Sequence, residues 1–448
     1  MITALTSKPT NTIRRLVAAA GVLSIFATAA VAQVPQPRFK PRPAAKISKD
    51  DDRFLEDLSR RSFMYLWEQS HPETGLTLDR TKTDGSRKPV QEGYSVASGA
   101  ATGFALTGLC IAADRKWVPR DQAVKRARTT LKFYAERSPH IEGWFYHFVD
   151  WSNGKRHRRS EISSIDTALL LGGILTVKQC FAKEKEIASL ADTIYDRIDF
   201  PWMLDGDKYL LSHGWRDESG FIKTRWIRFS EHPILYILAI ASRTKPIPAE
   251  AWQAWERNPT EYGQYKWYSG GAPLFVHQYP QAWLDLRGRK DSHSPFVNYY
   301  ENSITATRAH RQFCIDLGKE FPGYTENIWG ISASDSATGY VAWGGPPRHR
   351  RIDGSVVPYT AAGSLMFTPD ISLPALKEMK AKYGDTIYGK YGFADAFNPN
   401  NGWVDPDVIG IDLGITLIGA ENLRSGKVWH WFMQNKEIVE TLDRIGLK

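Results

Sequence analysis

The sequence predicts an all-α protein built as a closed ring of paired helices, and two observations lead to this fold class. Apolar residues recur at spacings of three and four through most of the chain. The segments between these runs are dense in aromatic residues and glycine and lack a clean alternating pattern, which argues against a doubly wound sheet. About a dozen helices joined by aromatic loops favour an (α/α) barrel, although no internal repeat fixes their number.

The helical runs follow one another along the chain with few interruptions. The run that opens at Arg120 carries Val124, Ala127 and Leu131 on one face. Two runs rich in alanine, glycine and leucine should be buried on most sides, and their small residues would let helices approach closely. The predicted runs are 52–69, 94–113 and 165–181 (the second and third being the buried pair), 120–134, 184–199, 233–242, 297–317, 372–383, 409–422 and a final one at the end of the chain.

The first 32 residues have the pattern of a bacterial secretory signal. Arg14 and Arg15 precede an apolar stretch that ends in Ala30-Val31-Ala32, and this stretch is short for a transmembrane helix. Residues 33–50 are rich in proline and basic side chains and are predicted to be a disordered linker. Residues 51–448 are predicted to form a single domain. We therefore expect a periplasmic or secreted protein that does not insert into the membrane once the signal is cleaved.

Composition and missing motifs exclude several classes of function. The net charge of +9 is mild for 448 residues, and the two short basic runs, 155–159 and 348–351, are typical of solvated loops, so no nucleic-acid partner is expected. The sequence has no phosphate-binding loop, dinucleotide fingerprint, serine-hydrolase elbow or zinc-protease motif. Cys110 and Cys180 lie in apolar helical runs and are expected to be small core residues, with one disulfide and one remaining thiol as the alternative.

Glu231 is the first candidate for chemistry. Pro233 suits the first position of a helix, so Glu231 would lie at the helix entrance, with Trp226 and Phe229 as candidate apolar cover. The helix dipole alone would lower the pKa of a carboxyl group there, so an acid role requires burial or a neighbouring carboxylate. The alternative is a carboxylate that only favours the positive end of the helix.

Glu161 and Asp166 form the second candidate pair. Glu161 would end a loop and Asp166 would lie in the first turn of the next helix, with Ser163 available as its cap. The alternative is a pair of carboxylates that only cap this helix and pair with nearby arginines. Two carboxyl groups at the rim of a helical scaffold, among aromatic loops, are what cleavage of a glycosidic bond requires. Further acids compete for the second role; these are Asp335, Asp353, Asp395, Asp412 and Glu421.

Several motifs, in order along residues 52–440, resemble the glucoamylase-like domain family. They are the 160–170 segment Ser-Glu-Ile-…-Asp-Thr-Ala-Leu-Leu, the Trp226/Glu231/Tyr236 segment, Tyr299-Tyr-Glu-Asn-Ser303, Trp329-Gly-Ile-Ser-Ala-Ser-Asp335, the run from Asp353 to Phe367, Tyr391-Gly-Phe-Ala-Asp-Ala-Phe397 and Ile411-Asp-Leu-Gly-…-Glu421-Asn422. The group includes glycoside hydrolase family 144 and the transglycosylation domain of cyclic β-1,2-glucan synthases. The match is only partial over 262–295, which leaves endo and exo action open.

The resemblance implies an (α/α)6 barrel that cleaves β-1,2-glucan to short sophoro-oligosaccharides, as an inverting endo-glucanase acting without metal or organic cofactor. It implies Glu231 as general acid and Glu161 as base or second acidic centre. An exo-acting hydrolase or a transglycosylase is the alternative within the family. A non-catalytic carbohydrate-binding protein and a polysaccharide lyase are alternatives of other classes. A monomer is expected. The side chains expected to bind the sugar are Asp166, Trp144, Tyr146, His147, Trp226, Arg228, His277, Gln278, Asp335, Trp343, Tyr359, Trp403 and Glu421.

Overall fold

The computed structural model describes residues 47–87, 94–271 and 273–448. The predicted secretory signal and residues 33–46 of the predicted linker lie outside the described residues. Lys49 and Asp50, at the end of that linker, already belong to the first helix, which Ser48 caps by accepting a hydrogen bond from the Asp51 N–H. Among the described residues, no helix combines the length and the apolar character that crossing a membrane requires.

Helices dominate the described structure, and the long ones lie where periodicity predicts them. Their bounds are α1 Lys49–Glu68, α2 Gly99–Asp114, α3 Arg120–Glu136, α4 Ser164–Cys180, α5 Lys185–Arg197, α6 Pro233–Ala241, α7 Ala251–Ala254, α8 Phe275–Trp283, α9 Tyr299–Leu317, α10 Pro358–Gly363, α11 Pro369–Tyr383, α12 Gly410–Arg424, α13 Lys427–Phe432 and α14 Lys436–Arg444. The two short inner helices α8 and α10 were not among the predicted runs.

The even-numbered helices from α2 to α12 form a closed inner ring. Each packs against the next, from α2 through α4, α6, α8 and α10 to α12, and α12 returns to α2. The other helices lie outside this ring: α1 packs on α12 and α2, α3 on α2, α5 on α4, α9 on α8, α11 on α10 and α14 on α6. Six inner helices with an outer layer are an (α/α)6 barrel, so the predicted fold class is confirmed.

Small residues bring the inner helices α2 and α4 into close contact, as their composition predicts. A Cβ atom added at Gly103 would overlap the Leu169 carbonyl oxygen, and one added at Gly173 would overlap the Gly103 carbonyl oxygen. Near the start of α2, Gly99 lies beside the carbonyl oxygen of Asp166. The two helices therefore run side by side in the same direction and begin at the same end of the barrel.

Short strands join the helices at this end and elsewhere without forming a closed sheet among the described residues. They pair as two-stranded ribbons, except for one three-stranded sheet of order β6-β7-β8. Their bounds are β1 Arg80–Lys82, β2 Val96–Ser98, β3 His140–Ile141, β4 Trp144–Phe145, β5 Phe148–Asp150, β6 Ile162–Ser163, β7 Gly214–Arg216, β8 Gly220–Phe221, β9 Pro259–Tyr262, β10 Tyr265–Tyr268, β11 Tyr388–Gly389, β12 Gly392–Phe393, β13 Phe397–Asn398, β14 Trp403–Val404 and β15 Asp407–Ile409.

The cysteines correct one expectation. Cys110 near the end of α2 and Cys180 at the end of α4 form a disulfide with a Cα–Cα distance of 6.1 Å, whereas Cys314 is a buried thiol. The prediction that Cys110 and Cys180 act only as small core residues is therefore wrong, and the alternative of one disulfide and one remaining thiol is what the structure shows. The bridge fastens α2 to α4 at the end of the helices opposite to the loops that carry Glu161 and Glu231.

Candidate active site

A cleft of about 680 Å³ opens where α4 and α6 begin. It brings together the side chains that the sequence placed in two separate motifs, including both candidate glutamates. Its lining residues are His147, Glu161, Ser163, Ile165, Asp166, His213, Ile222, Thr224, Arg225, Trp226, Ile227, Arg228, Phe229, Ser230, Glu231, Gly270, Gly271, Pro273, Phe275 and Val276. Of the predicted site residues, Glu161, Glu231, Asp166, His147, Trp226 and Arg228 therefore share one cleft.

Glu231 occupies the helix entrance that the sequence predicts. Pro233 is the first residue of α6, and its missing N–H costs no hydrogen bond there. Trp226 and Phe229 are both buried in the cleft wall beside the glutamate. Burial is the main cause that raises the pKa of Glu231, and the charge of Asp166 also raises it. The Ser230 hydroxyl donates a hydrogen bond to the Glu231 carboxylate and lowers this pKa. The net shift is upward.

Glu161 lies in the opposite electrostatic environment. Its Oε1 is 3.0 Å from Nδ1 of His147, and this hydrogen bond is the main cause that lowers the pKa of Glu161 to about 2. The positive charges of His147 and Arg216 act in the same direction, against the effect of burial. A carboxyl group with a lowered pKa beside one with a raised pKa is the pattern of a base and an acid.

His147 connects the two carboxylates of the 160–170 motif. Its Nε2 is 3.4 Å from Oδ1 of Asp166 while Nδ1 contacts Glu161. Burial lowers the pKa of His147, but the charges of Asp166 and Glu161 outweigh burial and raise this pKa to about 9. At neutral pH, His147 is therefore an imidazolium between two carboxylates.

The start of α4 holds Asp166 in place. Ser163 caps the helix, accepting a hydrogen bond from the Asp166 N–H at 3.2 Å and donating its hydroxyl to the Asp166 carboxylate at 2.5 Å. Asp166 thus lies in the first turn of the helix, as the sequence predicts. Asp166 also contacts His147 and raises the pKa of Glu231. Its interactions therefore extend beyond those of a carboxylate that only caps α4.

One cleft residue that the sequence did not single out is His213. Its ring stacks on Trp226, with centroids 4.0 Å apart and an angle of 21° between the planes. Burial lowers the pKa of His213, which favours a neutral ring. His213 precedes β7 in a segment without periodicity, so only its pairing with Trp226 in space marks it as part of the cleft wall.

A second group of carboxylates surrounds the start of α12. Asp395 and Asp412 line a small cavity together with Tyr359, whose hydroxyl donates to Ser332 at 2.7 Å. Burial raises the pKa values of both Asp395 and Asp412; the charge of Asp412 raises the pKa of Asp395 further, whereas the hydrogen bond with Asp395 lowers that of Asp412. Asp335, a predicted sugar-binding residue, belongs to this group and accepts a hydrogen bond from Arg80 at 2.6 Å.

Three carboxylates of this group have the spacing that a cation requires. Oxygen atoms of Asp335, Asp405 and Asp407 lie within 4.8 Å of one another. Two of the three already have cationic partners, because Asp335 pairs with Arg80 and Asp407 pairs with Lys82 at 2.8 Å. These protein cations supply the charge compensation that a metal ion would otherwise provide.

Several predicted sugar-binding residues are instead part of the protein interior. Trp144 is fully buried and donates its indole N–H to the Asp199 carbonyl oxygen, and Trp343 donates to the Ser334 hydroxyl. Gln278 is fully buried and donates to Ser364 and the Thr360 carbonyl oxygen, and Glu421 pairs with Arg115 at 2.5 Å near the opposite end of α12. These four residues, which are Trp144, Trp343, Gln278 and Glu421, do not line the cleft, and the hydrogen bonds described here join each of them to other groups of the protein.

The remaining predicted residues lie near the cleft or apart from it without lining it. The Tyr146 hydroxyl donates to Asp217 at 2.9 Å. His277 is buried behind Phe229, with ring centroids 5.2 Å apart, and burial lowers its pKa to about 3. Trp403 belongs to the β13–β14 ribbon. Their sugar contacts are not supported by this geometry.

Comparison with known proteins finds similarity to a glucoamylase family model and to enzymes that act on β-1,2-glucans. Residues 223–436, which include Glu231, match the family model described as "Putative glucoamylase". The exo β-1,2-glucooligosaccharide sophorohydrolase (non-reducing end) of Parabacteroides distasonis is 27% identical over 432 residues, which are 88% of this chain. The chain spans 58% of the length of that relative.

Two solved structures extend over nearly the same residues. A putative glucoamylase from Bacteroides caccae is 28% identical with a TM-score of 0.83, covering 89% of this chain and 99% of its own. The endo-β-1,2-glucanase of Chitinophaga pinensis, solved with sophorotriose and glucose, is 26% identical with a TM-score of 0.81, covering 90% of this chain and 99% of its own. Residues 223–436 therefore resemble a glucoamylase domain, and the proteins to which the chain is similar over most of its length include enzymes that act on β-1,2-glucans.

Proposed function

We propose that the protein is a glycoside hydrolase that cleaves β-1,2-linked glucan, with Glu231 as general acid and Glu161 as base. The observation that carries the proposal is that one cleft contains both glutamates in opposite electrostatic environments. The β-1,2 linkage is taken from the homologues, because nothing in the residues of the cleft alone specifies it.

The reaction follows from the two protonation states. Glu231, whose pKa burial raises, gives its proton to the glycosidic oxygen as the bond to the anomeric carbon breaks. A water molecule attacks the anomeric carbon from the opposite face. Its proton passes to the ionised Glu161, either directly or through a sugar hydroxyl, so that the two glutamates exchange protonation states in each turnover. Single displacement by water inverts the anomeric configuration.

The test is product analysis on linear β-1,2-glucan with the Glu231→Gln variant. The wild-type protein should release short sophoro-oligosaccharides with inversion, as followed by NMR of the first-formed anomer. Glu231→Gln should lower kcat at least 100-fold while it folds normally, because a general acid contributes on the order of 10²–10⁴ in rate. Retained turnover in this variant would remove Glu231 from the acid role, and glucan binding without turnover by the wild-type protein would favour a carbohydrate-binding function.

Exo action is the second candidate within this activity, and the sophorohydrolase homologue favours it. Product length separates the two modes. An endo-acting enzyme lowers the mean chain length of long glucan early and cleaves cyclic glucan, whereas an exo-acting sophorohydrolase releases sophorose from chain ends and leaves cyclic glucan intact. Transfer of glycosyl units to an added acceptor would identify a transglycosylase.

We also propose that the protein acts outside the cytoplasm as a monomer. The signal pattern of residues 1–32 and the Cys110–Cys180 disulfide support export, since disulfides persist in oxidising compartments. Cell fractionation and light scattering of the purified protein test these two statements.

A further inference from the structure

We propose that His147 is a positioning residue that keeps Glu161 ionised and fixed as the base, rather than a residue that binds sugar. The inference rests on the proposed function, in which Glu161 accepts a proton from water. It replaces the expectation that His147 contacts the substrate. The observation that supports this role is that both ring nitrogens of His147 contact carboxylates of the same cleft.

Main-chain hydrogen bonds and ring stacking both fix the position of His147 relative to Glu161. The His147 N–H donates to the Glu161 carbonyl oxygen at 2.9 Å, and its own carbonyl oxygen accepts from the Gly99 N–H at 3.3 Å. The ring stacks on Phe148, with centroids 3.8 Å apart and an angle of 19°. The imidazole therefore has little freedom to turn toward a ligand.

Both polar atoms of the ring are already engaged. Nδ1 is 3.0 Å from Oε1 of Glu161, and Nε2 is 3.4 Å from Oδ1 of Asp166. A protonated imidazole has two donors and no acceptor, so a sugar hydroxyl could only displace one of these charged partners. The arrangement is thus better suited to fixing two carboxylates than to recognising a hydroxyl.

The charged groups around His147 and Glu161 favour a protonated imidazole and an ionised carboxylate. Asp166 and Glu161 contact His147 and Asp79 acts at longer range, and all three favour the protonated ring. Glu161 faces His147 and Arg216, and both favour its ionised form. Without His147, Glu161 would lose its hydrogen-bonded cation and keep the weaker effect of Arg216 while burial continued to disfavour its charge, so its pKa would rise from about 2 toward or above the ordinary 4.5.

The decisive experiment is the pH dependence of kcat/KM on β-1,2-glucan for the wild-type protein, His147→Gln and the control His430→Gln. The glutamine retains a hydrogen-bond donor but no charge, so the acid limb should move up by more than about one pH unit. At pH 7 Glu161 remains ionised, and kcat/KM should stay within about tenfold of wild type. His430 lies in α13, beyond the end of α12 that faces away from the cleft, so its substitution should leave the profile unchanged.

An acid limb that stays in place in His147→Gln would overturn the proposal. A merely structural role would lower activity at every pH without moving the limb.

A second measurement needs neither substrate nor a folded His147 variant. NMR titration of the ring Cε1–H signals should show one of the 11 histidines titrating near pH 9, and this titration should fall toward the ordinary 6.5 in Glu161→Gln. A His147 signal that titrates alike in both proteins would contradict the pairing. If the wild-type protein fails to cleave glucan, the proposed function fails while this titration still decides whether the pair exists.

Discussion

At the scale of single residues, Asp166 affects the two glutamates through different routes. It contacts His147, which in turn contacts Glu161, and its negative charge helps to raise the pKa of Glu231. Three groups of the cleft therefore give the two glutamates different pKa values: the half-buried Glu231 itself, the imidazolium of His147 and the carboxylate of Asp166. The helix dipole at the start of α6 would lower the pKa of Glu231, but burial and Asp166 outweigh it.

Replacing Asp166 by Asn should therefore move the alkaline limb of the pH profile to lower pH. The sign follows because removing a nearby negative charge lowers the pKa of Glu231, so the acid loses its proton earlier as pH rises. The shift should be less than about one pH unit, since burial is the larger cause and is unchanged. The measurement is kcat/KM between pH 5 and 9, with Asp217→Asn, an exposed carboxylate outside the cleft lining, as control. An alkaline limb that moves upward would contradict this account of Glu231.

The same scale shows where prediction from sequence fails. Glu231 was predictable at a helix entrance because Pro233 and the following apolar run mark the start of α6. The burial of Trp144 and Gln278 was not predictable, because the sequence of a non-periodic segment does not show whether an aromatic or polar side chain faces the interior or the cleft. The pairing of His147 with Glu161 depends on main-chain contacts between separate loops, which no local spacing encodes.

At the scale of elements, predictability depends on helix length and on an uninterrupted apolar run, which is why the nine-residue α6 was predicted and the equally long α8 was not. Helices of thirteen residues or more, such as α4, α5 and α9, show several turns of apolar spacing and were found within a few residues of their bounds. The inner helices α8 and α10 have nine and six residues, and α8 contains Pro280, so neither displays a clear period. Only the closed ring of packed helices shows that they complete the barrel.

Close packing of α2 against α4 predicts a strong effect of a single methyl group. In Gly173→Ala the new Cβ would overlap the Gly103 carbonyl oxygen, which is main chain and cannot turn away, so the helices must separate. We expect a loss of about 1–3 kcal/mol in the free energy of unfolding, measured by denaturant titration. Gly99→Ala in the same helix pair is the matched control, since its nearest neighbours, the Tyr146 and Asp166 carbonyl oxygens, are 3.9 and 4.0 Å away. Equal stability of the two variants would show that α2 and α4 can move apart enough to accommodate an added methyl group without loss of stability.

At the scale of the whole molecule, carboxyl groups with lowered and with raised pKa values have opposite effects on the pH dependence of stability. Glu161 and Asp57, each hydrogen-bonded to cationic side chains, have lowered pKa values, so their contribution to stability is present above the ordinary pKa and is lost as pH falls through the lowered one. The group near α12 behaves in the other direction. Burial raises the pKa of Asp405 first of all, and the charges of Asp395 and Asp335 raise it further. One oxygen of Asp405 is buried without a hydrogen-bond partner.

Asp405→Asn should accordingly stabilise the protein more at high pH than at low pH. The folded state holds the Asp405 proton to a higher pH than the unfolded chain does, so folding takes up a proton above about pH 4 and stability falls as pH rises through this window. Asparagine is neutral throughout and can still accept the Asp407 N–H that now bonds Asp405 at 3.0 Å. Between pH 5 and pH 8 the unfolding free energy of the variant relative to wild type should therefore increase by on the order of 1 kcal/mol or more, as followed by denaturant titration at each pH. The exposed Asp385→Asn serves as the comparison and should show no such trend. A difference between Asp405→Asn and wild type that does not change with pH would mean that Asp405 is ionised in the folded protein, with Arg80 and Lys82 compensating the whole acidic group.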